Sequence, residues 1–97
     1  FHLVTARAVA DLAVLAEYAL PLLREGGMFM ALKGPDPQEE LTASAHALEL
    51  LGGSTEQVVC YQLPLSGEGR SVVLVRKNAP TPEKYPRRPG MPTKRPL

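Results

Sequence analysis

Short β-rich runs alternate with helically spaced apolar residues along this chain until Gly53, after which two strands follow one another directly; few architectures accept that order. Phe1 to Ala6 (FHLVTA) reads as a buried strand. From about Val9 the residues Val9, Leu12, Ala13, Ala16, Leu20 and Leu23 follow helical spacing, with Val14, Leu15, Tyr18 and Leu22 on the flanks and Asp11, Glu17 and Arg24 as the polar side. So wide an apolar surface suits a helix laid on a sheet. Pro21 lacks an amide and predicts a kink or a restart as a short turn, and Gly26-Gly27 ends the segment. Met28 to Leu32 (MFMAL) predicts the next strand. Asp36-Pro37-Gln38-Glu39 predicts a helix start, with Asp36 accepting orphan amides, Pro37 at the first helical position and Glu39 closing a capping box. Leu41, Ala45, Leu48 and Leu51 mark its buried stripe, and Gly52-Gly53 stops it. Gln57 to Leu63 and Ser71 to Lys77 are two further strands. The loop between them, with Ser66-Gly67-Glu68-Gly69, is too short for a crossover helix, so they form an antiparallel hairpin.

Strands linked through helices pair in parallel by right-handed crossovers, and the hairpin is expected to add an antiparallel edge. The predicted fold is α/β, the second half of a doubly wound sheet whose last strand runs backwards. Ligands of such sheets lie outside the carboxyl ends of the parallel strands. That rule selects Thr5-Ala6-Arg7 after the first strand and Lys33-Gly34 after the second.

The 97 residues suit one domain in size, yet the chain opens at Phe1 inside a strand and is expected to be part of a longer protein. No apolar run reaches the roughly 18 residues of a membrane span, and no signal peptide is legible. One cysteine makes no internal disulfide, and with two histidines it offers no recognisable zinc site. The net charge of +1 conceals a division: residues 1–75 carry four basic groups against nine acidic, while residues 76–97 carry seven against Glu83 alone. Six of the ten prolines fall in that last stretch. The chain therefore reads as a body, residues 1–77, and a proline-spaced basic tail, residues 78–97, of a kind that seeks a polyanion.

Several residues admit two readings. Arg7 stands before a helix amino terminus, where the dipole disfavours a cation, so either it pairs with an acid such as Asp11 or an anionic or electron-rich group lies nearby. Lys33 is either solvated decoration or, at the carboxyl end of a strand, a point charge for phosphate. In the tail, Lys84, Arg87, Arg88, Lys94 and Arg95 flank Tyr85; they either solubilise a disordered segment or neutralise phosphates while the tyrosine stacks on an unpaired base. Arg70, in the hairpin loop, could join the same surface. Cys60 reads as a small buried hydrophobe, and His2 and His46 have no metal-ligand partner at useful spacing. Ser66-Gly67-Glu68-Gly69 does not open a helix and is no phosphate cradle.

TARAVADL (5–12), LPLLREGG (20–27), ALKG (31–34), EEL (39–41), LGG (51–53) and the tail TPEKYPRRPGMPTKRPL (81–97) together resemble the ribosomal RNA small subunit methyltransferase G family, formerly glucose-inhibited division protein B. The resemblance covers the whole chain and the family's carboxyl-terminal half. It implies a Rossmann-like S-adenosylmethionine (SAM) methyltransferase sheet, with transfer of the SAM methyl group to N7 of a guanine in 16S rRNA. It further implies Arg7 as a SAM-binding residue, with Thr5 and Ala6 lining the same pocket through backbone groups. Lys33, Lys84, Tyr85, Arg87, Arg88, Lys94 and Arg95 are then expected to contact rRNA, in the naked form or within the small subunit. A cytoplasmic protein, monomeric when full-length and without metal, is expected. The alternative is a non-enzymatic RNA-binding α/β module with a basic tail.

Overall fold

A computed structural model of the chain describes residues 1–6, 11–87, 90–91 and 97. Its elements are β1 (Leu3–Ala6), α1 (Leu12–Ala19), a 3₁₀ turn (Leu20–Leu22), β2 (Met28–Lys33), α2 (Gln38–Leu50), β3 (Gly53–Gln62) and β4 (Gly69–Lys77). The predicted break at Pro21 is present as that turn, with the proline in its first positions, where no helical amide bond is lost. Pro37 occupies the cap position of α2, one residue later than expected. The Asp36 carboxylate nonetheless accepts the Gln38 amide at 3.2 Å.

The sheet order is β1-β2-β4-β3. β1 and β2 pair in parallel, and β4 runs antiparallel to both β2 and β3. The hairpin and the reversed last strand are as predicted, but the reversed strand is not the edge. β4 inserts between β2 and β3, and β3 takes the outside. The side chains explain this: β4 buries alternate residues against the helices (Ser71, Val73, Val75 and Lys77) and keeps Val72 and Leu74 half-buried on its other face. A strand apolar on both faces belongs inside a sheet. β3, with Ser54, Thr55, Glu56, Gln57 and Gln62, tolerates the edge and carries a bulge between Thr55 and Gln57.

Both helices lie on one face. Leu12, Ala16, Ala19 and Leu20 from the first helical segment and Leu48 and Leu51 from α2 pack on Phe29, Ala31, Val73 and Val75. Phe29, the largest side chain with no exposed surface, sits at the centre of that layer. Two readings from the sequence are corrected here. Glu17 is not on a solvated polar side but fully buried. It shares the i, i+3, i+4 face of Ala13, Ala16 and Leu20, so the geometry that buries them buries it. Cys60 is exposed rather than buried, because it lies on β3, one strand beyond buried Ser71, with its outer flank open.

Residues 78–87, which follow β4, pack back on the body. The Asn78 and Ala79 amides donate to the Gly52 carbonyl at 2.8 and 3.1 Å, and the Thr81 hydroxyl donates to the Leu51 carbonyl at 2.6 Å. Gly52 has φ +88, and a side chain there would meet the backbone of Ala79 and Pro80, so this crossing requires glycine. Tyr85 joins the core cluster, and Leu97 packs against it. Among the described residues no helix is long and apolar enough to cross a membrane.

Candidate RNA-facing edge

Parallel strands β1 and β2 end side by side, with Ala6 in register with Ala31. Thr5 is exposed and Ala6 half-buried at that edge. Arg7, Arg88, Lys94 and Arg95 lie outside the described residues. Lys33 closes β2 and is neither solvated decoration nor an open charge. It is 7% exposed, and its ammonium stands 2.7 Å from Glu40 Oε2 in the first turns of α2. The same carboxylate oxygen accepts the Leu12 amide, one of the orphan donors at the start of α1. Glu40 thus ties together the end of β2 and the beginnings of both helices. The Ser71 hydroxyl, next to Lys33 in the ladder, donates to the Gly34 carbonyl at 2.7 Å and fixes the turn that follows β2.

Glu40 also lines an open groove of about 430 Å³, together with Asp11, Ala13, Glu39, Ala43, Ser44 and Leu97. Its carboxylates give it a negative character, complementary to a cationic group. Among the described residues there is no grouping of three or more His, Cys, Asp or Glu side chains placed to hold a metal ion.

The tail's cations divide by partner. Lys84 is exposed, its ammonium 5.3 Å from the Tyr85 ring centroid. Tyr85, expected to stack on a base, is instead 9% exposed and packed in the core. Arg87 grips Glu17: its guanidinium donates from Nε to Oε2 at 2.9 Å and from Nη2 to Oε1 at 2.8 Å, and its backbone amide donates to Oε2 at 2.8 Å. This bidentate fork, with the extra amide, holds the Glu17 carboxyl below the usual carboxylate range against the opposing effect of burial. The same hydrogen bonds raise Arg87. Arg70 pairs with Glu68 at 2.7 Å within the hairpin loop. Lys77 is buried and donates to the Leu20 and Leu23 carbonyls at 2.8 and 2.6 Å; burial pushes its ammonium below the ordinary lysine value.

Glu17 and Glu40 escaped the sequence reading. Glu17 was the more legible, being the lone acid within LAVLAEYALPLL, where an apolar face offers it no water and demands a cation. Glu40 gave no such sign, since an acid in a first helical turn is ordinary.

A family profile described as rRNA small subunit methyltransferase G (GidB) matches residues 1–70. Relatives named ribosomal RNA small subunit methyltransferase G include one from Symbiobacterium thermophilum, 58% identical over 97 residues, all of this chain and 39% of that protein. Another, from Pelotomaculum thermopropionicum, is 55% identical over 94 residues, 97% of this chain and 39% of that protein. A third, from Oceanobacillus iheyensis, is 46% identical over 97 residues, all of this chain and 41% of that protein. The chain spans about two fifths of the length of these curated relatives. With the profile covering most of its residues, the chain belongs to the rRNA small subunit methyltransferase G (GidB) family.

Proposed function

We propose that the chain forms the carboxyl-terminal part of a SAM-dependent methyltransferase that modifies N7 of a guanine in 16S rRNA, acting in the cytoplasm as a monomer. The observation that carries this reading is the family match, with relatives of that name similar to the chain along its whole length. It favours an enzyme over a purely RNA-binding module. The sheet supports a Rossmann-like methyltransferase topology: two parallel strands, then a reversed strand inserted before the last parallel-running one.

SAM, when bound, supplies an electrophilic methyl group on a sulfonium. Guanine N7 has a free lone pair at neutral pH, so the protein need not remove a proton from it. The task is to align N7, methyl carbon and sulfur, and to present the base. The residues present fit the rim of such a site. Thr5 and Ala6 are small and leave the backbone at the end of β1 approachable. Arg7 follows them, and its role is to orient cofactor or base. Lys33 anchors rRNA phosphate at the edge, its direction set by Glu40. Lys84, Arg88, Lys94 and Arg95 add phosphate contacts from the tail, while Tyr85 and Arg87 act as the tail's anchors.

The test is methyl transfer from labelled SAM to 16S rRNA and to small subunits by the complete gene product, with the product nucleoside identified. N7-methylguanosine is expected; no transfer to either substrate would overturn the reading. In the same assay Arg7→Ala is expected to weaken SAM affinity. Lys33→Met is expected to raise the rRNA concentration for half-maximal rate about tenfold, the scale of one charge-assisted hydrogen bond. A variant that stays folded with unchanged parameters loses the role given to that residue.

A further inference from the structure

Helix α1 begins without a cap of its own. Asp11, at its cap position, makes no side-chain capping bond, and the first turn holds no acidic residue. α2 is the opposite case, with Glu39 and Glu40 in its first turn. Glu40 serves the neighbouring helix: its Oε2 accepts the Leu12 amide of α1, 28 residues away in the chain. The same oxygen lies 2.7 Å from the Lys33 ammonium. The strand ends beside these two bonds are fixed independently by the sheet. Ala6, the last residue of β1, is in register with Ala31, and Lys33, the last of β2, pairs with Ser71, whose hydroxyl donates to the Gly34 carbonyl. Against that fixed edge, the start of α1 and the charge of Lys33 meet at one carboxylate.

An amide and an ammonium make different demands on an acceptor. The amide goes where its helix goes, whereas lysine is a point charge on a flexible stem. One oxygen that accepts from both ties the mobile charge to the fixed helix start. The Glu40 side chain is 27% exposed and lines the open groove, so the pair borders space that a ligand can reach. We propose that Glu40 is a shared positioning residue, fixing where α1 starts beside the end of β1, for SAM, and where the Lys33 ammonium lies, for rRNA phosphate. Glu40 touches neither substrate. Its effect is to keep the cofactor rim and the RNA-contacting charge in one register, as alignment of N7, methyl carbon and sulfur demands. The proposal rests on the rRNA methyltransferase reading above.

The test removes the two bonds separately in the complete gene product. Glu40→Gln keeps an oxygen for the Leu12 amide and removes the charge facing Lys33. Glu40→Asp keeps the charge, which the flexible lysine can follow, but is one methylene too short for the fixed amide. SAM binding is measured by calorimetry without RNA, and 16S rRNA binding across a range of salt without SAM. Glu40→Gln is expected to lower rRNA affinity about tenfold and to flatten its salt slope by about 0.7–0.9, with SAM affinity within about twofold. Glu40→Asp is expected to weaken SAM binding about fivefold, the scale of a lost helix cap, with rRNA affinity within about twofold. In a Lys33→Met background Glu40→Gln costs no further rRNA affinity. A merely structural glutamate would give the same pattern of losses with both variants, and equal rRNA losses with and without Lys33. Either result overturns the proposal, as does undiminished binding of both ligands by both variants. If one variant does not fold, the other is read by the same criteria. Failure of the unsubstituted protein to methylate rRNA would defeat the underlying reading, whereas a methylating protein indifferent to Glu40 defeats only the positioning role.

Discussion

A carboxylate without exposed surface in an otherwise apolar helix stays ionised only if cationic or donor groups replace its water, and Glu17 has three such donors on Arg87. The consequence for pH has a definite sign. Glu17 binds its proton less tightly folded than unfolded, so the pair contributes stability above the ordinary carboxylate value of 4.5. That contribution is lost as pH falls through the depressed folded value. Thermal unfolding of the unsubstituted protein and of Glu17→Gln, followed from pH 7 to pH 3, is expected to show a wide gap at neutral pH that closes below about pH 4.5. Parallel curves across that range would mean that the pair carries no proton linkage. Lys33 teaches a related lesson. Its place at a strand end was legible, but its burial and its link to Glu40 depend on where α2 begins relative to β2.

At the scale of elements, the hairpin, the glycine stop after α2 and the break at Pro21 follow from spacing and turn chemistry, which are local, whereas α1 gives way to the 3₁₀ turn at Leu20, before Gly26-Gly27 is reached. Which hairpin strand lies beside β2 is not local. Loop length permits either, and the choice falls to the strand that is apolar on both faces, SVVLV in β4. That run was present in the sequence as an interior-strand signal. The join between β4 and the 3₁₀ turn is made by Lys77, whose ammonium satisfies two carbonyls that otherwise face the interior. Lys77→Met retains the aliphatic stem and strips both bonds. It is expected to destabilise the fold by about 1–3 kcal/mol, the cost of stranded buried acceptors. Denaturant titration with an unchanged midpoint would show that water replaces the ammonium there.

At the scale of the whole molecule, the sheet has unequal faces. Helices cover Phe29, Ala31, Val73 and Val75, while the reverse face shows Leu3, Leu32, Val59 and Tyr61 exposed and Met28, Met30, Val72 and Leu74 half-buried. Contiguous apolar surface of this kind marks contact with other protein matter. In the 97-residue chain alone, a dye that fluoresces on apolar surfaces is expected to bind, and Leu32→Lys with Val59→Lys to at least halve the signal with secondary structure intact. Equal dye binding by the substituted chain would place the site elsewhere.

The sequence by itself determined the α/β class, the element order, the reversed final strand and the family, because periodicity, turn residues and motif spacing are properties of neighbours along the chain. Tertiary structure alone decided that Glu17 meets Arg87 across 70 residues, that Lys33 is held by Glu40, and that Tyr85 belongs to the core. Charge splitting had marked residues 76–97 as a tail in search of a polyanion. Folding assigns part of that charge to the protein's own acids, because a buried carboxylate attracts whichever cation the packing can bring to it.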